Sequence, residues 1–203
     1  FQNRTGGRLL LNVVTGGESH EQRMFGDYLD KDARYARAGE FLGIVRRLWA
    51  GETVTFEGEH LRLDDALLSQ VPDPLPEIYF GGSSPAAGLV AAAHADVYLT
   101  WGEPPAQVAE KIGKVRELAG DRPIRFGVRL HTISRDTSAE AWAEAQKLLD
   151  ALSPEQVAKA QAQLAASESV GQQRMVALHG GRTDGSVRGL EIHPNLWAGV
   201  GLV

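Results

Sequence analysis

The feature that most constrains the fold is the alternation of short apolar runs with segments of helical period. The apolar runs end at glycine or polar residues. The segments between them carry apolar residues at spacings of three and four, the period of an amphipathic helix. Strands that alternate with helices predict a parallel sheet with helices packed outside it. The predicted strands are Leu9–Val14, Glu77–Phe80, Val97–Trp101 and Ile124–Ser134.

Helices are predicted between and after these strands, and two of them carry clear start signals. Thr137 and Glu140 form a capping box for a helix that runs through Leu149. Ser153 followed by Pro154 is the usual pairing of an N-cap with the first helical position. The other predicted elements are a helix over Tyr35–Trp49, a hairpin over Thr53–Leu63, a helix from about Pro85 to His94, and a helix that carries Val108, Ile112, Val115 and Leu118.

Four strand–helix units within 203 residues suggest about half of an eight-unit barrel, which usually takes ~250 residues. A four-stranded open sheet is the alternative, and composition alone does not reject it. The chain starts at Phe1 without an initiator Met and stops within an apolar, glycine-rich stretch. We therefore expect an internal piece, with residues 1–203 forming one incomplete barrel domain. The polar, glycine-rich stretch 180–189 is predicted to be a mobile loop.

Composition excludes several classes of protein. Apolar residues make up 43% of the chain and no apolar run approaches the roughly 18 to 20 residues of a membrane span. The formal net charge is −5 and no basic cluster is interleaved with aromatics, so we predict neither a membrane nor a nucleic-acid partner. There is no cysteine, which excludes a disulfide scaffold and a zinc–thiolate site and suits a cytoplasmic protein.

A candidate anion cradle follows the second predicted strand, in the segment Phe80-Gly81-Gly82-Ser83-Ser84-Pro85. The N-terminus of a helix leaves unpaired N–H groups and a positive partial charge. Glycines admit an anion close to the backbone, and the hydroxyls of Ser83 and Ser84 add donors. An ordinary capped helix is the alternative, and this segment alone does not decide between the two.

A second candidate site is the pair Arg129 and His131 near the end of the last strand. Strand side chains alternate, so these two share one face while Phe126, Val128 and Leu130 share the other. In a barrel the apolar set would pack outward under the helices. Arg129 and His131 would then lie inside, near the mouth where barrel active sites occur. A permanent cation beside a group that titrates near neutrality suits anion binding and proton movement; a buried structural pair is the alternative.

Other polar and aromatic residues near strand ends carry weaker signals. Asn12 and Thr15 flank the end of the first strand, where turn chemistry is the better explanation of these residues taken alone. Trp101 ends another strand and is predicted to wall a pocket or to join the core. Histidines at positions 20, 60, 94 and 179 have no spacing that suits metal ligation, and a structural role is also favoured for His193. We predict no metal site.

Taken together, several motifs resemble the alkanesulfonate monooxygenases, a branch of the bacterial-luciferase-like flavin monooxygenases. The similarity spans nearly all of the chain. The shared segments, in order, are Asn12-Val13-Val14-Thr15-Gly16, Asp32-Ala33-Arg34-Tyr35, Tyr79-Phe80-Gly81-Gly82-Ser83-Ser84, Tyr98-Leu99-Thr100-Trp101-Gly102-Glu103-Pro104-Pro105, Arg129-Leu130-His131, Gly171-Gln172-Gln173-Arg174-Met175 and the segment from Pro194 to Val203. The Leu-Thr-Trp-Gly-Glu-Pro-Pro and Pro-Asn-Leu-Trp-Ala-Gly segments are the ones most specific to the sulfonate branch.

This resemblance implies a fold and a reaction. It implies a luciferase-like (β/α)8 TIM barrel, in which this chain supplies strands four to seven and a late helical insertion at about residues 150–195. It implies reduced FMN, supplied by a separate NAD(P)H-dependent FMN reductase, with O2 as co-substrate. The substrate would be an alkanesulfonate, desulfonated to an aldehyde and sulfite in sulfur acquisition, and the protein would form a homo-oligomer.

By matching position, the resemblance also assigns residues. Asn12, Thr15, Tyr35, Gly82 and the two serines, Ser83 and Ser84, would contact FMN, with the serines at its phosphate. Arg129 would face the charge of the sulfonate or of the oxygen-bearing flavin, and His131 would position groups or transfer a proton. Trp101 would contact substrate.

The resemblance places further active-site residues, a Cys, an Arg and a Tyr, beyond both ends of this chain. Two alternatives stay open: a luciferase-like oxygenase for another organosulfur substrate, and a flavin-binding piece without turnover.

Overall fold

The computed structural model describes residues 1–180 and 186–200. Their strands and helices follow the alternation that the sequence predicts. In chain order they are β1 (Leu10–Val13), α1 (Ser19–Met24), α2 (Lys31–Trp49), β2 (Val54–Glu57), β3 (Arg62–Ala66), β4 (Glu77–Gly81), α3 (Pro85–His94), β5 (Val97–Trp101), α4 (Pro105–Ala119), β6 (Arg125–Arg129), α5 (Ser138–Asp150), α6 (Pro154–Ala165), α7 (Val170–His179), β7 (Glu191–His193) and β8 (Leu196–Trp197). Short 3-10 helices cover Gln2–Arg4 and Val187–Leu190.

The central sheet has the strand order β1-β4-β5-β6. The pairs β1–β4 and β4–β5 are parallel, with Asn12 opposite Tyr79 and Phe80 opposite Tyr98. Each crossover between these parallel strands contains a helix, which is the usual form of a parallel connection. The carboxyl ends of neighbouring strands therefore lie along one edge of the sheet, and the predicted site residues that follow β1 and β4 lie at that edge.

By its internal contacts the chain divides into two compact units. The first contains residues 1–100 and 111–127, and the second contains residues 101–110 and the chain from residue 128. In the first unit the core lies between the sheet and helices α2, α3 and α4. Its buried members are Tyr35, Leu42, Ile78, Phe80, Ala87, Val90, Ala91, Ala95, Tyr98 and Val115.

The second unit has its own smaller core, centred on Ala145, Val187 and Leu190. The capping box of α5 forms as predicted, because the Thr137 hydroxyl accepts from the Glu140 amide while the Glu140 carboxylate accepts from the Thr137 amide. Ser153 caps α6 in the same way. Of the loop predicted over 180–189, residues 181–185 lie outside the described part of the chain. The rest includes the 3-10 turn, whose ends are buried.

Strand β6 is shorter than predicted. It stops at Arg129 rather than at Ser134, so His131 lies beyond the strand. The expected packing of its apolar face is also only partly correct. Phe126 packs against the first core, but Val128 is 51% exposed and Leu130 is 49% exposed. No helix in the described ranges is both long enough and apolar enough to cross a bilayer.

Candidate functional site

The segment of Gly82, Ser83 and Ser84 between β4 and α3, called the cradle, is where the sequence predicts anion binding. Ser84 is extended and its hydroxyl oxygen accepts a hydrogen bond from the Ala87 amide at 3.2 Å. Pro85 follows at the first helical position. The Gly82, Ser83 and Ser84 backbone therefore leads directly into the start of a ten-residue helix, where unpaired amides carry a positive partial charge.

Gly82 has a φ of +154°, and close neighbours leave no room for a side chain. A Cβ placed there would lie 2.5 Å from the Ala87 Cβ and 3.0 Å from the Tyr35 hydroxyl. The Tyr98 hydroxyl donates to the Gly82 carbonyl at 2.6 Å and fixes the orientation of that peptide. Because a trans peptide is planar, the Ser83 N–H points away from the side on which Tyr98 binds.

Lys111 contacts the cradle, and sequence reasoning missed it. It lies on α4, is only 7% exposed, and its ammonium donates to the Ser83 hydroxyl oxygen at 2.8 Å. In the sequence Lys111 has no feature that separates it from an ordinary charged residue on a helix, and it lies 28 positions after Ser83. Only the packing of α4 beside α3 brings the two together.

Asn12 and Thr15 occupy different surroundings. Asn12 is exposed on the sheet face opposite the core, beside Tyr79 of the neighbouring strand. Thr15 lines a cavity of about 420 Å³ whose described lining includes Arg34 and Gln22 but none of the cradle residues. The structure therefore groups Tyr35, Gly82, Ser83 and Ser84, and it leaves Thr15 outside that group.

Sequence reasoning also missed Arg34 as a buried charged residue. It is 1% exposed, and its Nη1 donates to the Leu29 carbonyl at 2.7 Å. Its Nε and Nη2 have no hydrogen-bond partner among the described residues. The sequence gives no sign of this, because Arg34 falls at a helix position where an exposed charge is ordinary.

The second unit contains a pocket of about 630 Å³. Its walls are mainly apolar and come from helices α5 to α7, from β8 and from the segments that follow β5 and β6. The apolar and aromatic lining residues are Trp101, Leu130, Ile133, Leu148, Leu164, Met175, Leu196, Trp197, Ala198 and Val200. The polar side chains are few, and among them are Arg129, His131 and Gln172.

Arg129 and His131 both line this pocket, as does Trp101. Neither Arg129 nor His131 is buried, and within residues 1–180 and 186–200 no carboxylate pairs with Arg129. Arg129 and His131 are therefore not a buried structural pair. The Trp197 indole donates to the His131 carbonyl at 2.9 Å, and the His131 ring lies against Gly199.

A buried ion pair supports one side of the same unit. The Glu103 side chain is fully buried and accepts from Arg174 Nη2 at 2.8 Å and from Nε at 3.2 Å. This contact ties the turn after β5 to α7, which also supplies Met175 and Gln172 to the pocket. Among the described residues no group of three or more His, Asp or Glu side chains is arranged to hold a metal ion.

Solved structures show the same fold. A riboflavin lyase structure with modified FMN and riboflavin matches at 23% identity and a TM-score of 0.71, over 79% of this chain and 42% of that one. A long-chain alkane monooxygenase matches at 22% identity and a TM-score of 0.66, over 77% and 43%. The EDTA monooxygenase from Chelativorans sp. BNC1 matches at 22% and 0.62, over 79% and 44%.

The chain thus spans less than half the length of each of these proteins, and the likeness confirms the predicted α/β fold with a parallel sheet. A family model described as luciferase-like monooxygenase matches residues 1–202. The chain therefore belongs to the luciferase-like monooxygenase family.

Proposed function

We propose that the protein is a reduced-FMN-dependent monooxygenase that uses O2 to convert alkanesulfonates to an aldehyde and sulfite. The observation that carries this proposal is the pocket of the second unit, where the unpaired guanidinium of Arg129 stands among apolar walls. An alkanesulfonate has the matching chemistry, because it joins a permanent anion to an aliphatic chain.

The pocket supports this substrate class over a purely apolar one. A guanidinium presents a planar fork of N–H donors that suits a three-oxygen anion. Leu164, Met175 and Leu196 offer aliphatic surface to the rest of the molecule. A plain alkane would leave Arg129 without an anion to bind.

The first unit offers donors that suit the phosphate of FMN. The hydroxyls of Ser83, Ser84 and Tyr35 and the amides at the start of α3 are the groups that would hold it, with Gly82 allowing close approach. Asn12 and Thr15 are proposed as further flavin contacts by family position. When bound in reduced form, the flavin supplies the two electrons that the reaction with O2 requires.

The reaction balances with these components. The C–S bond and one C–H bond of the sulfonate-bearing carbon break and a C=O bond forms at that carbon, while the hydrogen leaves as a proton and the sulfur leaves as sulfite. One oxygen atom of O2 ends in the aldehyde and the other in water, while the reduced flavin is oxidised. Arg129 binds the sulfonate oxygens, and His131 positions the substrate or moves a proton at its imidazole. Trp101 contacts the substrate chain.

Two partners belong to the same proposal. The reduced FMN comes from a separate NAD(P)H-dependent FMN reductase, and the protein acts as a homo-oligomer.

The test is sulfite release from octanesulfonate by the full-length protein, supplied with reduced FMN and O2. We expect sulfite from the wild type, and a fall in kcat/KM of about 100-fold for Arg129→Ala, the loss of a charged hydrogen-bond donor. Arg135→Ala is the control, because Arg135 is an exposed arginine of the same unit that pairs with Glu144. A wild type that binds FMN but releases no sulfite contradicts the substrate class, and an unchanged Arg129→Ala contradicts the role of Arg129.

A further inference from the structure

Lys111 is a charged side chain buried next to a serine of the cradle. Its exposure is 7%, and its ammonium lies 2.8 Å from the Ser83 hydroxyl oxygen. Burial of an ammonium is costly unless it is compensated by hydrogen bonds and opposite charge. A lysine at such a position therefore affects the electrostatics of the groups around it far more than an exposed lysine would.

The direction of this hydrogen bond determines what Ser83 is able to do. An ammonium has three donors and no acceptor, so the Ser83 oxygen accepts and its own hydrogen points elsewhere. Ser84 is in the same situation, because its oxygen accepts from the Ala87 amide. Within the described ranges neither hydroxyl hydrogen meets an acceptor. Both serines are therefore set as donors at the start of α3.

The Tyr35 hydroxyl completes the group. It lies 3.0 Å from the point that a Cβ on Gly82 would occupy, so it stands directly above the glycine turn. Three hydroxyls, the helix amides and the Lys111 ammonium thus lie near the start of α3, and all of them are able to donate hydrogen bonds. A phosphate monoester is a dianion with three terminal oxygens, and it is the ligand chemistry that such a set recognises.

We infer that Lys111 is a positioning residue for the phosphate of the flavin. It holds the Ser83 hydroxyl as a donor, and it places a positive charge next to Ser83 on the side away from the phosphate. This inference rests on the flavin site proposed above. It makes Lys111 one of the residues that let the protein distinguish FMN from riboflavin, because the two flavins differ only in the phosphate.

The experiment compares binding of oxidised FMN and riboflavin to the full-length protein by fluorescence titration, without turnover. For Lys111→Met we expect FMN to bind about 10- to 100-fold more weakly, the range for loss of a charge-assisted hydrogen bond. Riboflavin affinity should stay within about twofold, since riboflavin makes no such bond. Lys114→Met is the control: it removes a charge from an exposed position of the same helix, and it should leave both affinities unchanged.

A second variant keeps the inference testable if Lys111→Met does not fold. Lys111→Gln keeps a donor for Ser83 but removes the charge, and it should also lose most of the preference for FMN. If either folded variant keeps the full preference, or weakens FMN and riboflavin equally, Lys111 is only structural and the inference is wrong.

The wild type separates this inference from the proposed function. Equal binding of FMN and riboflavin by the wild type would show that the flavin-phosphate site itself is wrong, and the role of Lys111 would be overturned with it. Inorganic phosphate is a third probe. If it binds the wild type more tightly than FMN does, the cradle belongs to a free anion and the inference is overturned.

Discussion

Gly82 shows how tightly the turn between β4 and α3 is packed. Its backbone conformation is one that side-chain-bearing residues rarely adopt, and the Ala87 Cβ already fills the space where a side chain would begin. Its carbonyl is held by Tyr98 from the core. A glycine is therefore required here by both conformation and space.

Replacement of Gly82 by Ala should destabilise the protein by about 1–3 kcal/mol, the usual cost of overpacking. It should also weaken FMN binding, because the Ser83 amide would shift. The matched control is Gly113→Ala on α4, where a Cβ meets nothing within 4 Å. That change should stabilise by about 0.5–1 kcal/mol, since Ala is the better helix former. Urea unfolding curves check both, and a Gly82→Ala variant as stable as wild type would contradict the packing argument.

The sequence predicts those parts of the cradle that depend on neighbouring residues. Ser84 as a cap, Pro85 after it and the glycines before it form one local pattern, and all take their expected places. Lys111 could not be predicted, because its role depends on contact with a serine 28 positions earlier. Arg34 could not be predicted either, since its surroundings include Ser19 of α1 and the Leu29 carbonyl, which lie outside its own helix.

The β2–β3 hairpin depends on a side chain from a helix. The Glu40 carboxylate of α2 accepts from the amides of Glu59, His60 and Leu61, at 2.7, 3.1 and 2.9 Å. Gly58 allows this approach, because a Cβ there would lie 2.6 Å from the Glu40 carboxyl carbon. One carboxylate thus satisfies successive amides of the hairpin turn.

Glu40→Gln should lower the free energy of unfolding at pH 7 by about 1–2 kcal/mol, through loss of charged hydrogen bonds. Burial alone would raise the pKa of the Glu40 carboxyl, but the three backbone hydrogen bonds lower the pKa below its usual 4.5. A lowered pKa means that the folded state holds its proton less tightly than the unfolded chain does. The stability that Glu40 contributes is therefore present above pH 4.5 and is lost as the pH falls through the folded pKa.

Urea unfolding between pH 3 and pH 7 measures this effect. The wild type should lose more stability than Glu40→Gln as the pH falls below 4.5. Glu57→Gln is the control, because that carboxylate is 79% exposed on the same hairpin. Identical pH slopes for the wild type and Glu40→Gln would contradict the assignment.

The first and last residues of the strands and helices agree with the prediction where they depend on neighbouring residues in the sequence. The strand Val97–Trp101 and the helix Pro85–His94 have their predicted bounds. Helix α2 begins earlier than predicted, at Lys31, because the Asp30 side chain caps it by accepting from the Ala33 amide. Strand β6 ends at Arg129, and Val128 and Leu130 remain about half exposed, although their alternation resembles that of a strand. Helix α7 was not predicted, since its sequence has little amphipathic pattern.

Within residues 1–180 and 186–200 the buried apolar residues form two hydrophobic cores. Ile78 belongs to the first and is completely buried, and Leu190 belongs to the second at 2% exposure. Sequence patterning assigned the strands and helices of the first unit well, but it gave no sign of how the chain divides. The division into two units depends on which helices pack against each other. The apolar period of a single helix carries no information about its packing partner.

Leu190→Ala should cost about 2–5 kcal/mol within the second unit, the usual range for a buried leucine. Amides of α5 and the 3-10 turn should then exchange faster with deuterated water, while those of β4 and α3 keep their protection. Ile78→Ala is the matched variant, and it should have the opposite distribution. Peptide-resolved hydrogen exchange distinguishes these outcomes. A uniform rise in exchange across both units for either variant would contradict two separate cores.

The pocket of the second unit also has an optical consequence. Two of the four tryptophans, Trp101 and Trp197, line it. Trp49 packs against the first core, and Trp142 lies under the guanidinium of Arg188. A molecule that enters the pocket removes water from two indoles and leaves the other two as they were. Occupancy of the pocket is therefore readable from the ultraviolet emission of the protein itself, without a label.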